Sequence, residues 1–491
     1  MNIPASDGMS ALKSAARQAM QDYGFLPDFS AEALAQLQAL VQAHPEPAPG
    51  IRDLRQLLWS SIDNDDSRDL DQLSAVESLS NGAVKIFVAI ADVDCLVRAG
   101  TAIDQHAEAN TTSVYTAAQI FPMLPEKLST DLTSLAQDED RSSVVVEMTF
   151  DANGSQTASD MYRAIVRNRA KLAYNPVAAW LNGTAPAPPA LAAINGLGEQ
   201  IRLQDGVAQS LKRARHQHGA LTLDTMGSQA VLSDGVLADL RPDEKNRAKE
   251  LIQHLMIASN RVAAQYLESH GLPSLRRVLR KPERWPRIVA LAAEVGATLP
   301  AEPDAVALNA FLEARRDADP ARFADLSLSI VKLLGAGVYA LKMPGQEVEG
   351  HFGLALNEYT HATAPNRRFP DLITQRLLKA AFAGVSSPYS GAELAGIAEH
   401  CTVQERNEAK IERRVAKSAA AFLLSSKIGA SFDAVVTGAT DKGTWVRIRE
   451  PVAEGKIVRG AAGLDVGDRV RVRLVHTDTS RGFIDFERLT A

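Results

Sequence analysis

Residues 85–93 read KIFVAIADV and residues 142–150 read SSVVVEMTF. Both runs are short, nearly unbroken by polar residues, and rich in β-branched and aromatic side chains, the composition of strands held inside a sheet. Beyond them, residues 247–268 and 371–382 carry long helical patterns. Strands first and helices later, without strict alternation, predict an α+β fold rather than a parallel α/β sheet. Residues 182–193, rich in proline and alanine, are expected to form a surface loop, and no internal repeat occurs.

The two ends of the chain differ from this middle. Residues 9–23 and 30–44 predict short amphipathic helices, the second with Ser30 as N-cap and Leu34, Leu37 and Val41 at helical spacing. HPEPAPG, residues 44–50, stops that helix and reads as a linker, since proline cannot continue it. So small a pair is expected to be a packing cap, with a helix-turn-helix-like nucleic-acid contact as the alternative. From Ser431 onward the pattern becomes FDAVVTGATDKGTWVRI, VRGAAGLDVGDRVRVRLV and GFIDFERL. Short strands with glycine turns predict an all-β barrel of the OB type. Period-two alternation over residues 469–475 places Arg469, Arg471 and Arg473 on one outer face. Trp445, Phe432 and Phe483 are candidate stacking residues, at least one of which is expected in the core. The order of these elements resembles an S1-type RNA-binding domain. The expected division is 1–50, 51–428 and 429–491.

The whole chain has 491 residues, which corresponds to about three domains. Hydrophobic residues at 46% and charged residues at 23% exclude a disordered or fibrous protein. Cys95 and Cys401 stand far apart and outside any CxxC, which excludes a disulfide framework and a thiolate zinc site. No apolar leader or membrane-length apolar run occurs, so a cytoplasmic protein is expected, with no membrane partner. The formal charge of −6 gives no global sign of nucleic acid. Basic residues nevertheless crowd locally, at Arg276, Arg277, Arg280, Lys281, Arg284 and Arg287, at Arg213, Arg215, His216 and His218, and at Arg367 and Arg368. Such clusters in an acidic chain point to a confined anionic ligand.

The densest chemistry is SSIDNDDSRDLDQL, residues 60–73, with Asp63, Asp65, Asp66, Asp69 and Asp71. Crowded carboxylates repel one another, and a hard divalent cation relieves the repulsion. An acidic surface loop is the other reading, whereas the EF-hand pattern fails for want of its glycine and closing glutamate. A second constellation, GHFGLALNEYTHATAPNRRFPDLITQRLL at residues 350–378, joins His351, Tyr359, Thr360, His361, Thr363, Arg367, Arg368 and Asp371 beside a helix start. Hydroxyls and guanidinium groups so placed suit a phosphate.

Taken together, these segments resemble the ribonuclease II (RNB) family of exoribonucleases. The acidic segment is similar to the family's TID…DxDD motif, and residues 350–378 to its GHFGL…YTHFTSPIRRYPDL motif. ADVDCLVRAGTAIDQHAEANTTSVY, PMLPEKLSTDLTSL, HGALTLD and ELIQHLMIASN continue the resemblance in order. It implies an RNB catalytic domain followed by the S1-type barrel, acting as a processive, hydrolytic 3′→5′ exoribonuclease that releases nucleoside 5′-monophosphates from single-stranded RNA. By the same resemblance Asp63, Asp69 and Asp71 belong to a magnesium or manganese site, with Asp69 and Asp71 catalytic and Arg367 supporting the scissile phosphate. Tyr174 would pack on the terminal base. Tyr115, Glu412, Thr363, Arg368 and, from the barrel, Arg471 would hold RNA. A monomer is expected.

This sequence departs from the family in three places. Gln72 replaces the fourth aspartate, and only its amide oxygen is left to coordinate. Gln253 and His254 stand where glutamates are common. About fifty residues precede the core, so the N-terminal cold-shock barrels are expected to be missing. Because of Gln72, a catalytically silent RNA-binding protein on the same scaffold is the alternative reading.

Overall fold

The computed structural model describes residues 5–40, 48–80, 82–224, 228–233, 236–242, 245–441 and 443–489. Two helices lead the chain, α1 (Ala5–Asp22) and α2 (Ala31–Ala39), and the Ser30 hydroxyl oxygen accepts the Ala33 N–H at 3.2 Å to cap the second. The predicted last turn of that helix, with Val41, and most of the predicted linker lie outside the described residues.

The strands β1 (Ile51–Asp53), β2 (Trp59–Asp63), β3 (Gln72–Ser78) and β4 (Val84–Ala91) follow, then the short pair β5 (Val114–Tyr115) and β6 (Ile120–Phe121), then β7 (Asp140–Phe150) and β8 (Gln156–Ala173). One sheet has the order β1-β8-β2-β3-β4-β7, and β8 also pairs with β7. With 18 residues, β8 is about 60 Å long. Its first part holds β7 antiparallel while its other edge holds β1 and then β2 in parallel, so the sheet returns on itself. The predicted strands at 85–93 and 142–150 fall in β4 and β7. Residues 86–91 are buried without alternation, because helices cover the face that the neighbouring strands do not.

Register at one end of this sheet gathers the acidic segment. Asp63, the last residue of β2, lies opposite Ala173, so the next residue, Tyr174, begins a helix beside it. Gln72, the first residue of β3, lies opposite Ile90, and the Ala91 N–H donates to the Asp71 carbonyl at 2.9 Å. The intervening loop is clamped by Ser134, whose hydroxyl donates to the Arg68 carbonyl at 2.7 Å and accepts the Leu70 N–H at 3.1 Å.

The helical part comprises α3 (Ala102–Asn110), α4 (Tyr174–Leu181), α5 (Pro189–Ala192), α6 (Leu197–Gln217), α7 (Arg247–Ser269), α8 (Trp285–Glu294), α9 (Ala305–Ala318), α10 (Pro320–Leu334), α11 (Phe369–Ala383) and α12 (Gly391–Ser425). The segment 182–193, predicted as loop, ends instead in the single turn α5. Pro189 opens it, where a missing N–H costs nothing, and Leu191 is buried under it. Strands β9 (Ser228–Ser233) and β10 (Val236–Pro242) pair antiparallel, as do β11 (Ser274–Val278) and β12 (Val338–Lys342). A buried ion network pins α11 to the chain after β4: Arg376 reaches Asp94 at 2.9 Å and Asp104 at 2.7 Å, and Lys379 reaches Asp92 at 2.9 Å.

α12 spans 35 residues, about 50 Å, and starts with a capping box between Ser390 and Glu393. Its C-terminal half shares one apolar core with α1 and with the C-terminal barrel, through Leu12, Met20, Ile411, Val415, Val472 and Phe486. α2 packs instead on α3. The two N-terminal helices therefore dock on different elements and do not form a helix-turn-helix.

The barrel consists of β13 (Ser431–Thr440), β14 (Gly443–Arg449), β15 (Val452–Arg459), β16 (Arg469–Asp478) and β17 (Phe483–Arg488), closed in the order β13-β14-β15-β17-β16. Along β16 the arginines at 469, 471 and 473 are exposed and Val470, Val472 and Leu474 buried, as the period of two requires. Gly455 is obligatory: a Cβ there would stand 2.5 Å from both the Ile484 carbonyl oxygen and the Phe486 ring. Of the candidate stacking residues, Phe483 is exposed, Phe432 packs edge-on against Phe486, and Trp445 lies beneath the Lys456 ammonium.

Candidate active site

Asp71 is the buried centre of the site, with 1% of its side chain exposed. The Asn366 N–H donates to Oδ1 and the Arg367 Nε to Oδ2, each at 3.0 Å. Burial, and then repulsion from Asp69, push its carboxyl up to about 7 in spite of the neighbouring Arg367. The Tyr115 hydroxyl donates to Asp69 Oδ2 at 3.2 Å. Asp63 accepts the Asn64 N–H at 2.7 Å and the Ser67 hydroxyl at 2.9 Å, both on Oδ1. Asp63, Asp69 and Asp71 all act on Arg367 and hold its guanidinium charged. Burial and the Asp63 charge raise the Tyr174 hydroxyl, on which Arg367 acts in the opposite sense. Two loops nearly 300 residues apart in sequence thus bring Asp63, Asp69, Asp71, Tyr115, Tyr174 and Arg367 together. Gln72 is buried at the foot of β3 beside Asp71.

The loop that delivers Arg367 is tightly held. Asp371, fully buried at the start of α11, accepts the Thr363 N–H at 2.8 Å, the Ala364 N–H at 2.9 Å and the Arg368 Nη2 at 2.7 Å, all on Oδ1. The Arg367 carbonyl accepts the Ser113 N–H at 3.0 Å, which ties this loop to the segment that carries Tyr115. Glu412, on α12, accepts the Tyr115 N–H, and burial raises its carboxyl. One helical turn earlier, Glu408 is held above the usual carboxylate range by burial and by Glu412 and Glu405.

Several sequence expectations are corrected. Arg368 and Thr363, expected to hold RNA, are turned into Asp371, because a buried carboxylate requires donors. Thr360 donates to the Leu275 carbonyl at 2.5 Å and His361 meets the Tyr339 hydroxyl at 2.8 Å, so these polar groups brace the core and do not form a phosphate cradle. The basic run 276–287 does not act as one patch. Arg276 is buried, Arg277 pairs with Glu405 at 2.6 Å, and only the later residues face outward. Arg471 stays exposed on the barrel, 3.6 Å from Asp433, and takes no part in the pocket. Sequence reasoning missed Asn366, whose backbone holds Asp71 and whose Oδ1 accepts the Thr133 hydroxyl at 2.5 Å. It also missed Glu408, which the i, i+4 spacing to Glu412 could have revealed.

The donor set suits a hard divalent cation: it is all oxygen, and short of positive charge, since Arg367 alone leaves Asp71 strained toward its neutral form. Among the described residues no three His, Cys, Asp or Glu side chains close into a metal-holding group on their own.

The fold and the site define the class of protein: a mixed α+β core with an arginine-bridged acidic pocket, joined by a long helix to an OB-type barrel. The chain belongs to the RNB family. The RNB domain model matches residues 51–384, and the model of the RNase II-type exonuclease C-terminal S1 domain matches residues 430–489. The chain is 31% identical over 479 residues to ribonuclease R of Aquifex aeolicus, covering 91% of this chain and 67% of that protein. To ribonuclease R of Escherichia coli it is 29% identical over 494 residues, covering 93% of this chain and 60% of that protein. The structure of Mycoplasma genitalium RNase R in complex with ribose methylated single-stranded RNA superimposes with a TM-score of 0.84 at 22% identity, over 96% of this chain and 77% of that one. The chain thus spans about two-thirds or less of the length of these two sequence relatives. No helix among the described residues is long and apolar enough to cross a membrane.

Proposed function

We propose that this chain is a processive, metal-assisted 3′→5′ exoribonuclease that hydrolyses single-stranded RNA to nucleoside 5′-monophosphates. The observation that carries the reading is the convergence of Asp63, Asp69 and Asp71 on Arg367 between two tyrosines, in a chain whose sequence relatives are ribonucleases R. Asp63, Asp69 and Asp71 would hold magnesium or manganese, with the Gln72 amide oxygen as a weaker fourth donor. The bound cation would supply an activated water and neutralise phosphoryl charge. Arg367, half-exposed and already charged, is placed to donate to the scissile phosphate as negative charge develops on it. Tyr174 and Tyr115 flank it and offer faces for the terminal bases. Glu412 keeps Tyr115 in place through its backbone. The exposed arginines of β16 would contact the phosphates of the incoming strand.

The two cysteines are free thiols, which accords with a reducing cytoplasm. A cytoplasmic, monomeric enzyme is part of the same proposal. Gln72 favours a second reading, a silent RNA binder, because it removes one anionic ligand. A digest of 5′-labelled RNA in magnesium or manganese decides between them. The enzyme shortens the strand from its 3′ end, releases 5′-mononucleotides and leaves a short 5′ remnant. Tight binding without mononucleotides in either metal supports the silent binder.

A further inference from the structure

α6 and α7 lie side by side and are cross-linked by three rungs. In the first, Arg247 reaches Asp205 at 2.7 Å. In the second, Lys212 reaches both oxygens of Glu250, at 2.8 and 2.9 Å. The third should repeat the pattern one turn further along both helices. There Arg215 Nη2 meets His254 Nδ1 at 2.5 Å, so the cation has a neutral imidazole where the other rungs have a carboxylate. Burial and the surrounding cations Arg215, Lys212 and His216 push His254 down to about 3, so it stays neutral and accepts. Among the described residues no carboxylate lies within ion-pair distance of Arg215, and its Nε is buried without a partner. The one group that favours its charge is the phenol of Tyr359. A desolvated guanidinium without an anion is unfavourable, and it is relieved by an anion that takes two of its N–H groups at once.

An open cavity of about 540 Å³ adjoins the first two rungs, lined by Asn182, Gln209, Lys245, Asn246, Arg247 and Glu250. Its volume is that of a nucleotide-sized site. Side-chain amides of this kind match the donor and acceptor edges of bases. The Asn246 amide donates to Asn175 Oδ1 at 2.9 Å, and Asn175 follows Tyr174 directly. The cavity is therefore continuous with the helix that starts in the active site.

We propose that Arg215, with His254 as its neutral companion, receives a nucleotide phosphate at the α6–α7 interface. The inference deepens the proposed ribonuclease function and rests on it. The phosphate comes either from the RNA chain or from the released mononucleotide, and the two sources share the same recognition chemistry.

The test measures binding by the full chain in chelator, so that no turnover intervenes, with a 5′-labelled single-stranded RNA in one arm and AMP in the other. His254→Glu supplies Arg215 with the missing carboxylate and should weaken binding about tenfold in the arm that represents the true source. In the RNA arm the slope of log affinity against log salt should also fall by about 0.7, the contribution of one phosphate contact on a single strand. Arg215→Gln should reproduce the loss, and His254→Gln, neutral like the original, should retain binding. Weakening confined to RNA assigns the site to a chain phosphate, and weakening confined to AMP assigns it to the product. Unchanged binding of both by folded His254→Glu and Arg215→Gln overturns the inference while leaving the ribonuclease reading intact. Failure of the unaltered chain to bind RNA at all overturns both.

Discussion

Replacing Asp71 by asparagine separates its structural cost from its catalytic role. Asp71 is buried, and its carboxyl is displaced from an ordinary 3.8 to about 7, a difference of about 4 kcal/mol between the ionised and neutral forms. The sign follows from linkage: the unfolded chain releases this proton near pH 4 and the folded chain near pH 7. Stability is therefore full below about pH 4, declines as pH rises to about 7, and is flat above. Asparagine is neutral throughout and escapes the decline. Its amide turns a donor toward Arg367 Nε, which reduces the gain by about 1 kcal/mol. In chelator the two proteins should be almost equally stable at pH 4, and Asp71→Asn should be more stable by about 3 kcal/mol at pH 8, read from urea midpoints across that range. Turnover in magnesium should fall by orders of magnitude with RNA affinity close to the original. Equal pH profiles, or a variant less stable at pH 8, would show that the attraction of Arg367 outweighs desolvation and refute the reasoning. Near-normal cleavage at saturating magnesium would remove Asp71 from the mechanism.

Gln72→Asp adds a carboxylate to the site, and the magnesium concentration for half-maximal cleavage should fall; an unchanged or higher requirement counts against Gln72 as a ligand position. Arg469→Ala with Arg471→Ala should weaken binding of long RNA and reduce its salt slope, without altering the rate on a substrate too short to reach the barrel. Gly455→Ala forces a methyl against the Ile484 carbonyl and the Phe486 ring and should cost about 1–3 kcal/mol, read as earlier unfolding of the barrel.

Much of this molecule follows from local pattern. The β-branched runs that become β4 and β7, the arginine face of β16 and the cap at Ser30 depend on side chains two to four residues apart, and a single segment contains them all. The acidic segment and the Arg367 segment were each legible as chemistry, and the order of motifs along the chain made the family resemblance visible. Which polar group meets which was not legible. Arg367 faces Asp71 while its neighbour Arg368 faces Asp371, although the two arginines are adjacent and alike in sequence. The difference lies in the turn after Pro365, which sends consecutive side chains to opposite sides. Arg276 and Arg277 leave the apparent basic patch because β11 buries one and sets the other against Glu405 on α12. The unmatched rung between Arg215 and His254 exists only where α6 and α7 lie in contact. Periodicity determines the face on which a residue lies. Its partner depends on the register of elements brought together across hundreds of residues, and burial makes each such pairing, or the lack of one, energetically consequential.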